Sequence, residues 1–314
     1  MTGVRGTAAR LENWLFADKH ALYGVAMCRI LAGISIVGLL ATNFGSRNAL
    51  VGPASWWAEP ARDLSEFPIL GLVAGHSAAY VTVFYLATML FAALFTLGWH
   101  TRVVGVLVLI GHVALIEQNP LVGDQGDNVL RIGLIWLLLM HSSEAWSLDA
   151  RRRRGPILPL WFTNGLHNIA LCGLAFQIVV IYIAAAVFKL QGALWRDGTA
   201  LYYPLQLPAY RPFPWLSDLL IGNSLILALA TYAALGIQLL FPPMLLDRFT
   251  RRIALTFVIL LHVSIAVLMG LPWFSLSMVA YDAIFVSTTT YVALDRWVRR
   301  SPTPSRRSSV VQRR

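Results

Sequence analysis

The residues best suited to chemistry lie at 178–203, where a long apolar helix pattern ends at a single cation, Lys189. One helical face is shared, through three- and four-residue spacing, by Tyr182, Ala185, Ala186 and Lys189. An ionisable group at the end of an apolar span is costly unless it is paired, hydrated or used. Lys189 is therefore either a snorkelling lysine that marks the membrane boundary or a working amine. A desolvated lysine can lose its proton near neutral pH and act as a base.

A second polar group precedes the predicted fourth span, in the segment GDQGDNVLRIGL. Asp127 or Asn128 is placed to cap that helix. We expect a substrate pocket at Lys189, lined by this group and by the aromatic, proline-rich stretch 191–219, which we interpret as a lid or a re-entrant segment. Its predicted binding residues are Asp127, Asn128, Arg131, Tyr202 and Tyr203. The alternative is structural: Lys189 or Arg131 forms an ion pair with Asp124 or Asp127 and locks the helix ends.

The composition is that of a membrane protein. Of 314 residues, 57% are hydrophobic and 13% are charged, whereas soluble domains carry about 25% charged residues. The mean hydropathy is +0.65, and several stretches exceed the ~18 apolar residues typical of a membrane span. The net charge of +10 is concentrated at 151–154 and in the C-terminal tail. That distribution is typical of a topology signal rather than of nucleic-acid binding.

The pattern predicts an all-α integral protein of the cell membrane with about eight transmembrane helices. Its basic loops fall on one side if the N- and C-termini are both cytoplasmic. We divide the chain into a cytoplasmic segment 1–20, a transmembrane domain 21–295 and a disordered basic cytoplasmic tail 296–314. The predicted spans are 22–42, 77–99, 103–117, 129–141, 166–190, 221–241, 253–271 and 273–294.

Three polar residues lie well inside the predicted spans, namely Arg29, His262 and Asp282. For His262 and Asp282, helix-to-helix hydrogen bonds are the more common role, and ligand binding is the alternative. Arg29 either snorkels or pairs with a carboxylate, and Asp282 is its candidate partner. The histidines lack ligand spacing, so we predict no metal site. The sequence contains no nucleotide-binding loop and no nucleophile elbow.

Several segments together suggest a family: MCRILAG around Arg29, GDNVLRIGL, EAWSLDARRR, FQIVVIYIAAAVFKL ending at Lys189, and LLHVSIAVLMGLPWFSLSMVA. Over most of its length the chain resembles the vitamin K-dependent gamma-glutamyl carboxylases. It also resembles their bacterial relatives, the horizontally transferred transmembrane (HTTM) domain proteins. The stretch ending at Lys189 is the most similar, because the family also ends this helix with a tyrosine, small residues and a lysine.

The resemblance implies a role for Lys189 as the base that deprotonates vitamin K hydroquinone, or menaquinol. Oxygen and carbon dioxide are then co-substrates, and the implied partners are the lipid bilayer, a lipid-soluble quinone and a secreted peptide or protein substrate. Such chemistry needs a site closed to water. Two departures stand out. Asn128 occupies the position where the carboxylases carry a histidine, and a short basic tail follows the last span where they carry a large extramembrane domain.

Two further functions remain open. One is a non-catalytic membrane protein for the maturation or immunity of a secreted peptide, in which Lys189 would tolerate alanine. The other is a small-molecule transporter. Against a transporter stand the absence of paired broken spans and of an evident internal repeat.

Overall fold

The computed structural model describes residues 2–64, 66–152, 155 and 158–300, and within these ranges it contains helices and no strands. Five helices are long and apolar enough to cross a membrane: α2 (Leu22–Thr42), α6 (Ala78–Leu97), α9 (Leu160–Gln191), α12 (Ser224–Met244) and α13 (Arg248–Leu268). Shorter helices complete the described chain: α1 (Thr2–Phe16), α3 (Arg47–Leu50), α4 (Ala58–Asp63), α5 (Pro68–Gly71), α7 (Thr101–Ile116), α8 (Gln125–Leu139), α10 (Ala193–Arg196), α11 (Pro214–Ile221), α14 (Pro272–Asp282) and α15 (Thr288–Arg300).

The helices run alternately up and down, so their ends collect at two faces of the bundle. At one face, Trp273 Nε1 at the start of α14 donates to Thr42 Oγ1 at the end of α2, at 3.0 Å. At the other face, Leu148 N donates to the carbonyl of Leu97 at the end of α6, at 3.0 Å. This alternation makes α9 and α12 antiparallel neighbours, and the end of α9 lies beside the second half of α12, where Lys189 meets Gln238.

The predicted span 273–294 is not one helix. α14 ends at Asp282, a 3-10 turn covers Ala283–Phe285, and α15 begins at Thr288. The turn packs closely on α2, where a Cβ added to Gly24 would lie 2.8 Å from the carbonyl oxygen of Ala283. Residues 296–300 of the predicted tail belong to α15, and 301–314 lie outside the described residues.

Arg29 does not pair with Asp282, so that expectation was wrong. Its side chain is fully buried, with Nη2 donating to the carbonyl of Trp146 at 2.7 Å and Nη1 to that of Phe95 at 3.4 Å. Phe95 lies in the last turn of α6, where carbonyl groups have no partner within the helix. Arg29 therefore joins α2 to the end of α6 and to the 140–152 segment.

Asp149 caps α7 from a distance in sequence. Its carboxylate accepts hydrogen bonds from His100 N at 2.9 Å, Thr101 N at 2.8 Å and Thr101 Oγ1 at 2.7 Å. Burial acts to raise the pKa of Asp149, but these hydrogen bonds outweigh it and hold the pKa below its usual value. The carboxylate thus fixes the turn between α6 and α7.

Replacing Asp149 by Ala is expected to lower the free energy of unfolding by about 1 kcal/mol, the usual value of a helix cap. Because the folded pKa is depressed, this contribution is present above the unfolded pKa and is lost as pH falls through the folded pKa. Thermal unfolding in detergent at several pH values measures it, with the exposed Asp63→Ala as control. An equal decrease in the free energy of unfolding in the two variants would contradict the capping role of Asp149.

Two buried polar residues near the start of α9, Asn164 and Asn168, hold the end of α1 in place, and neither was predicted from the sequence. Asn168 Nδ2 donates to the carbonyls of Trp14, Leu15 and Asp18 at 3.2, 2.8 and 2.7 Å. The orphan carbonyls at the end of α1 are thereby satisfied by side chains of another helix.

Asn168→Ala should therefore loosen α1 from the bundle, because it leaves the carbonyls of Leu15 and Asp18 without this partner, at about 1–3 kcal/mol for each buried unsatisfied group. Limited proteolysis within residues 2–20 is the readout, and faster cleavage is expected. The exposed Gln206→Ala is the matched control. Unchanged cleavage of Asn168→Ala would show that α1 is held by apolar contacts alone.

Candidate functional site

The amine of Lys189 lies between two helices at the end of α9. Nζ donates a hydrogen bond to Gln238 Oε1 of α12 at 2.7 Å and lies 5.2 Å from the centroid of the Trp195 ring. The side chain is half-buried. In the described ranges no carboxylate lies within 4.0 Å of Nζ. Lys189 therefore has a neutral hydrogen-bond acceptor and an aromatic ring as neighbours, without a counter-ion.

The ion pairs of the structural alternative, Lys189 or Arg131 with Asp124 or Asp127, do not form. Arg131 pairs instead with Glu117, whose Oε1 lies 2.5 Å from Nη1, and its Nε donates to Asn128 Oδ1 at 2.8 Å. Glu117 is the residue that follows α7. Arg131 and Asn128 thus tie the start of α8 to the end of α7.

The cap of α8 is Asp124, so the expectation that Asp127 or Asn128 caps this helix was wrong. Asp124 Oδ1 accepts from Gly126 N at 2.6 Å and Asp127 N at 3.2 Å, while Asp127 Oδ2 accepts from Asp124 N at 3.0 Å. This reciprocal pair is a capping box, and it starts the helix at Gln125, earlier than predicted. Asp127 also lies 3.7 Å from His112 Nε2 of α7.

Tyr202 and Tyr203 are 41% and 54% exposed and contact each other edge to face, with ring centroids 5.6 Å apart. The residue of this loop that reaches Lys189 is Trp195. The loop itself is attached to α12 by a hydrogen bond of 2.7 Å from Tyr232 Oη to the carbonyl of Arg196. Within the described chain, none of the predicted binding residues forms a hydrogen bond or an ion pair with Lys189. The role of these residues in substrate binding stays a prediction.

Sequence reasoning missed both direct neighbours of Lys189. Gln238 stands in the apolar stretch LGIQLLF, and such an isolated polar residue in a membrane helix commonly hydrogen-bonds to another helix. That signal was available in the sequence. Trp195 carries no comparable signal, because the stretch that follows α9 contains many aromatic residues.

Deeper in the bundle, Tyr182 connects α9 to two other helices. Its hydroxyl lies 2.8 Å from Asp282 Oδ2 of α14 and 3.3 Å from His262 Nε2 of α13. All three side chains are almost fully buried. The expectation that His262 and Asp282 make helix-to-helix hydrogen bonds is confirmed. Tyr182 and Lys189 lie on the same face of α9, so this cluster is on the side of α9 that carries the amine.

Two cavities of the described chain lie away from Lys189. One of about 730 Å³ is lined by residues that include Tyr23, Trp146 and Arg299, and another of about 330 Å³ by residues that include Arg62 and His76. Among the described residues there is no group of three or more His, Cys, Asp or Glu side chains arranged to hold a metal ion.

These features define a multi-pass, all-helical membrane protein with an unpaired lysine at the end of a long apolar helix. The family profile described as "HTTM domain" matches residues 18–289. The chain therefore belongs to the HTTM domain family. It is similar to "Uncharacterized protein YitO" of Bacillus subtilis (strain 168), with 23% identity over 268 residues, covering 80% of this chain and 84% of that relative. No solved structure matches the chain significantly.

Proposed function

We propose that this chain is a quinol-dependent membrane enzyme related to the vitamin K-dependent gamma-glutamyl carboxylases, with Lys189 as its general base. The observation that carries the proposal is the environment of the amine. Nζ contacts a neutral amide and an indole ring, and a lysine without a counter-ion in a partly dry site can give up its proton and accept another. Membership of the HTTM domain family supports the same proposal.

The neighbours of Lys189 suit both protonation states of the amine. The neutral amine can keep one N–H on Gln238 Oε1 and direct its lone pair toward a hydroxyl of a bound quinol. After it takes that proton, the ammonium is stabilised by the same amide oxygen and by the face of Trp195, since cations are attracted to indole rings. A bound menaquinol, with oxygen and carbon dioxide as co-substrates, would supply the stronger base for proton abstraction from a peptide glutamate.

The proposal includes a topology of eight crossings in the cell membrane, with α7, α8 and α14 as the shorter ones and both termini cytoplasmic. The alternation of helix ends between two faces supports it, as do the basic loops. Single cysteines introduced by Asp63→Cys and Arg248→Cys should then react with an impermeant reagent from opposite sides of the membrane. Labelling of both from the same side would contradict this topology.

The direct test of the enzyme proposal uses the full chain in lipid nanodiscs with menaquinol, oxygen and labelled carbon dioxide. We expect consumption of the quinol above the rate in nanodiscs without protein. Incorporation of label into a glutamate-containing peptide would identify the carboxylase reaction. Quinol consumption equal to that of empty nanodiscs would refute the enzyme.

The position of the two cavities favours a second candidate, a non-catalytic protein for the maturation or immunity of a secreted peptide. Neither cavity includes Lys189 in its lining. This candidate requires that Lys189→Ala leaves function intact and that function follows co-purification with a partner peptide.

A further inference from the structure

We propose that Tyr182, His262 and Asp282 form a proton-binding site inside the helical bundle, and that the charge on Lys189 controls how tightly this site holds its proton. The existence of the site does not depend on the proposed enzyme. Its role in tuning how readily Lys189 takes a proton from a quinol does rest on that proposed function.

The three side chains are withdrawn from solvent and come from three helices. Tyr182 is 0% exposed, and His262 and Asp282 are each 2% exposed. Tyr182 Oη stands between the other two, at 2.8 Å from the carboxyl and 3.3 Å from the imidazole. Phe241 and Phe274 pack against the rings of Tyr182 and His262, respectively. The hydroxyl is therefore the bridge between an acid and a base in apolar surroundings.

The surroundings of Asp282 favour a neutral carboxyl. Its Oδ2 has the Tyr182 hydroxyl as partner, and its Oδ1 has no hydrogen-bond partner among the described residues. No cation lies within 4.0 Å of it in the same part of the chain. An ionised carboxylate so placed would be expensive, because burying an unpaired charge costs several kcal/mol. A bound proton removes that cost.

The titratable groups that surround the carboxyl are few. α9 contributes Tyr182 and Lys189, α13 contributes His262, and α2 contributes the buried thiol of Cys28, which lies close enough to interact with Asp282. On α12, Gln238 is the residue that Lys189 contacts, and its amide is not titratable. Tyr281 of α14 donates to the carbonyl of Leu130 on α8 instead. Of these groups, His262 shares the Tyr182 hydroxyl with the carboxyl, and Lys189 lies farther away, toward the end of α9.

The hydrogen bonds allow the proton to move along the cluster. With the proton on Asp282, the carboxyl donates to Tyr182 Oη and the tyrosine donates to His262 Nε2. With the proton on His262, the imidazolium donates to Tyr182 Oη and the tyrosine donates to the ionised Asp282. Both arrangements hold the same number of protons and the same net charge. In the first all three groups are neutral, and in the second the imidazolium and the carboxylate form an ion pair that the tyrosine bridges. His262 Nδ1 has no partner among the described groups.

Lys189 is within electrostatic reach of this site. It lies two helical turns beyond Tyr182 on the same face, about 10 Å along the axis, and helical side chains lean toward the N-terminus, here toward Tyr182. Its hydrogen-bond partner Gln238 lies one turn before Phe241, whose ring centroid is 4.5 Å from that of Tyr182. A protonated Lys189 therefore favours loss of the proton from the cluster, and a neutral Lys189 favours its retention.

Infrared difference spectroscopy of the full chain in nanodiscs, titrated with acid and base, tests the site without any substrate. We expect the carbonyl stretch of one protonated, buried carboxyl at neutral pH, lost in Asp282→Asn and retained in the exposed control Asp218→Asn. Tyr182→Phe should shift the frequency of the band, because it removes the hydrogen bond to the carboxyl. Lys189→Gln should raise the pH at which the band disappears.

Absence of an Asp282-dependent band at neutral pH would overturn the site, as would a midpoint that Lys189→Gln leaves unchanged. If Asp282→Asn does not fold, two other results test the site: the frequency shift of the carboxyl band in Tyr182→Phe, and the titration of that band in the unmodified chain. The band without quinol oxidation supports the site and refutes only the enzyme. Quinol oxidation without the band overturns the site and leaves the enzyme standing.

Discussion

Replacing Lys189 by Ala is expected to lower the rate of quinol oxidation by about 10²- to 10⁴-fold, the usual contribution of a general base. The side chain is half-buried and takes part in one interhelical hydrogen bond, so its loss should leave the helical bundle intact. Circular dichroism and thermal unfolding in detergent check that point beside the rate measurement.

The chain offers a matched control, because Lys189 and Lys19 are its only lysines. Lys19→Ala should retain the rate. Lys189→Arg is more discriminating, since arginine keeps the positive charge but does not lose a proton in proteins. It should be as inactive as the alanine variant if the amine acts as a base, and partly active if only the charge matters. A Lys189→Ala variant that keeps the full rate would end the assignment of this residue.

Gly98→Ala should lower the free energy of unfolding by about 3 kcal/mol or more, the largest stability effect that we predict for this protein. Backbone strain and steric overlap add at this one position. Gly98 has φ +68°, a conformation that glycine adopts without a steric penalty. A Cβ at this position would also overlap Nη1 of Arg29 and Cβ of Ser147. Arg29 has no room to move, since it is fully buried and bonded to two carbonyl groups.

Gly236→Ala is the control for this substitution. Gly236 lies inside α12, and a Cβ added there meets nothing within 4 Å. An alanine at such a helical position is expected to stabilise by about 0.5–1 kcal/mol. Thermal or denaturant unfolding in the same detergent compares the two variants. Similar effects of the two substitutions would show that Arg29 does not constrain the end of α6.

The apolar helices could be predicted from the sequence because their signal is local. The first span was placed at 22–42, and α2 covers Leu22–Thr42. The prediction of the last span, 273–294, was wrong for a reason that the local sequence pattern does not contain. The hydropathy of 273–294 continues across the break at Asp282, and the close approach of the chain to Gly24 is a tertiary contact.

The partners of the polar residues were harder to predict than the helices. Lys189 was identified from its place in the sequence, but its partner Gln238 is 49 residues away and uncharged. Ion pairs with Asp124 or Asp127 were the structural alternative for Lys189 and Arg131. Those carboxylates are engaged with backbone amides of their own turn. Local capping thus competes with long-range pairing, and residue types alone do not show which one prevails.

The most direct test of Lys189 as a quinol base is a structure of the full chain in nanodiscs with bound menaquinone, determined by cryo-electron microscopy. We expect an oxygen of the quinone ring within hydrogen-bonding distance of Lys189 Nζ, beside Trp195 and Gln238. Quinone density in the cavity lined by Trp146 and Arg299 instead, with Lys189 left in contact only with Gln238 and lipid, would contradict the account.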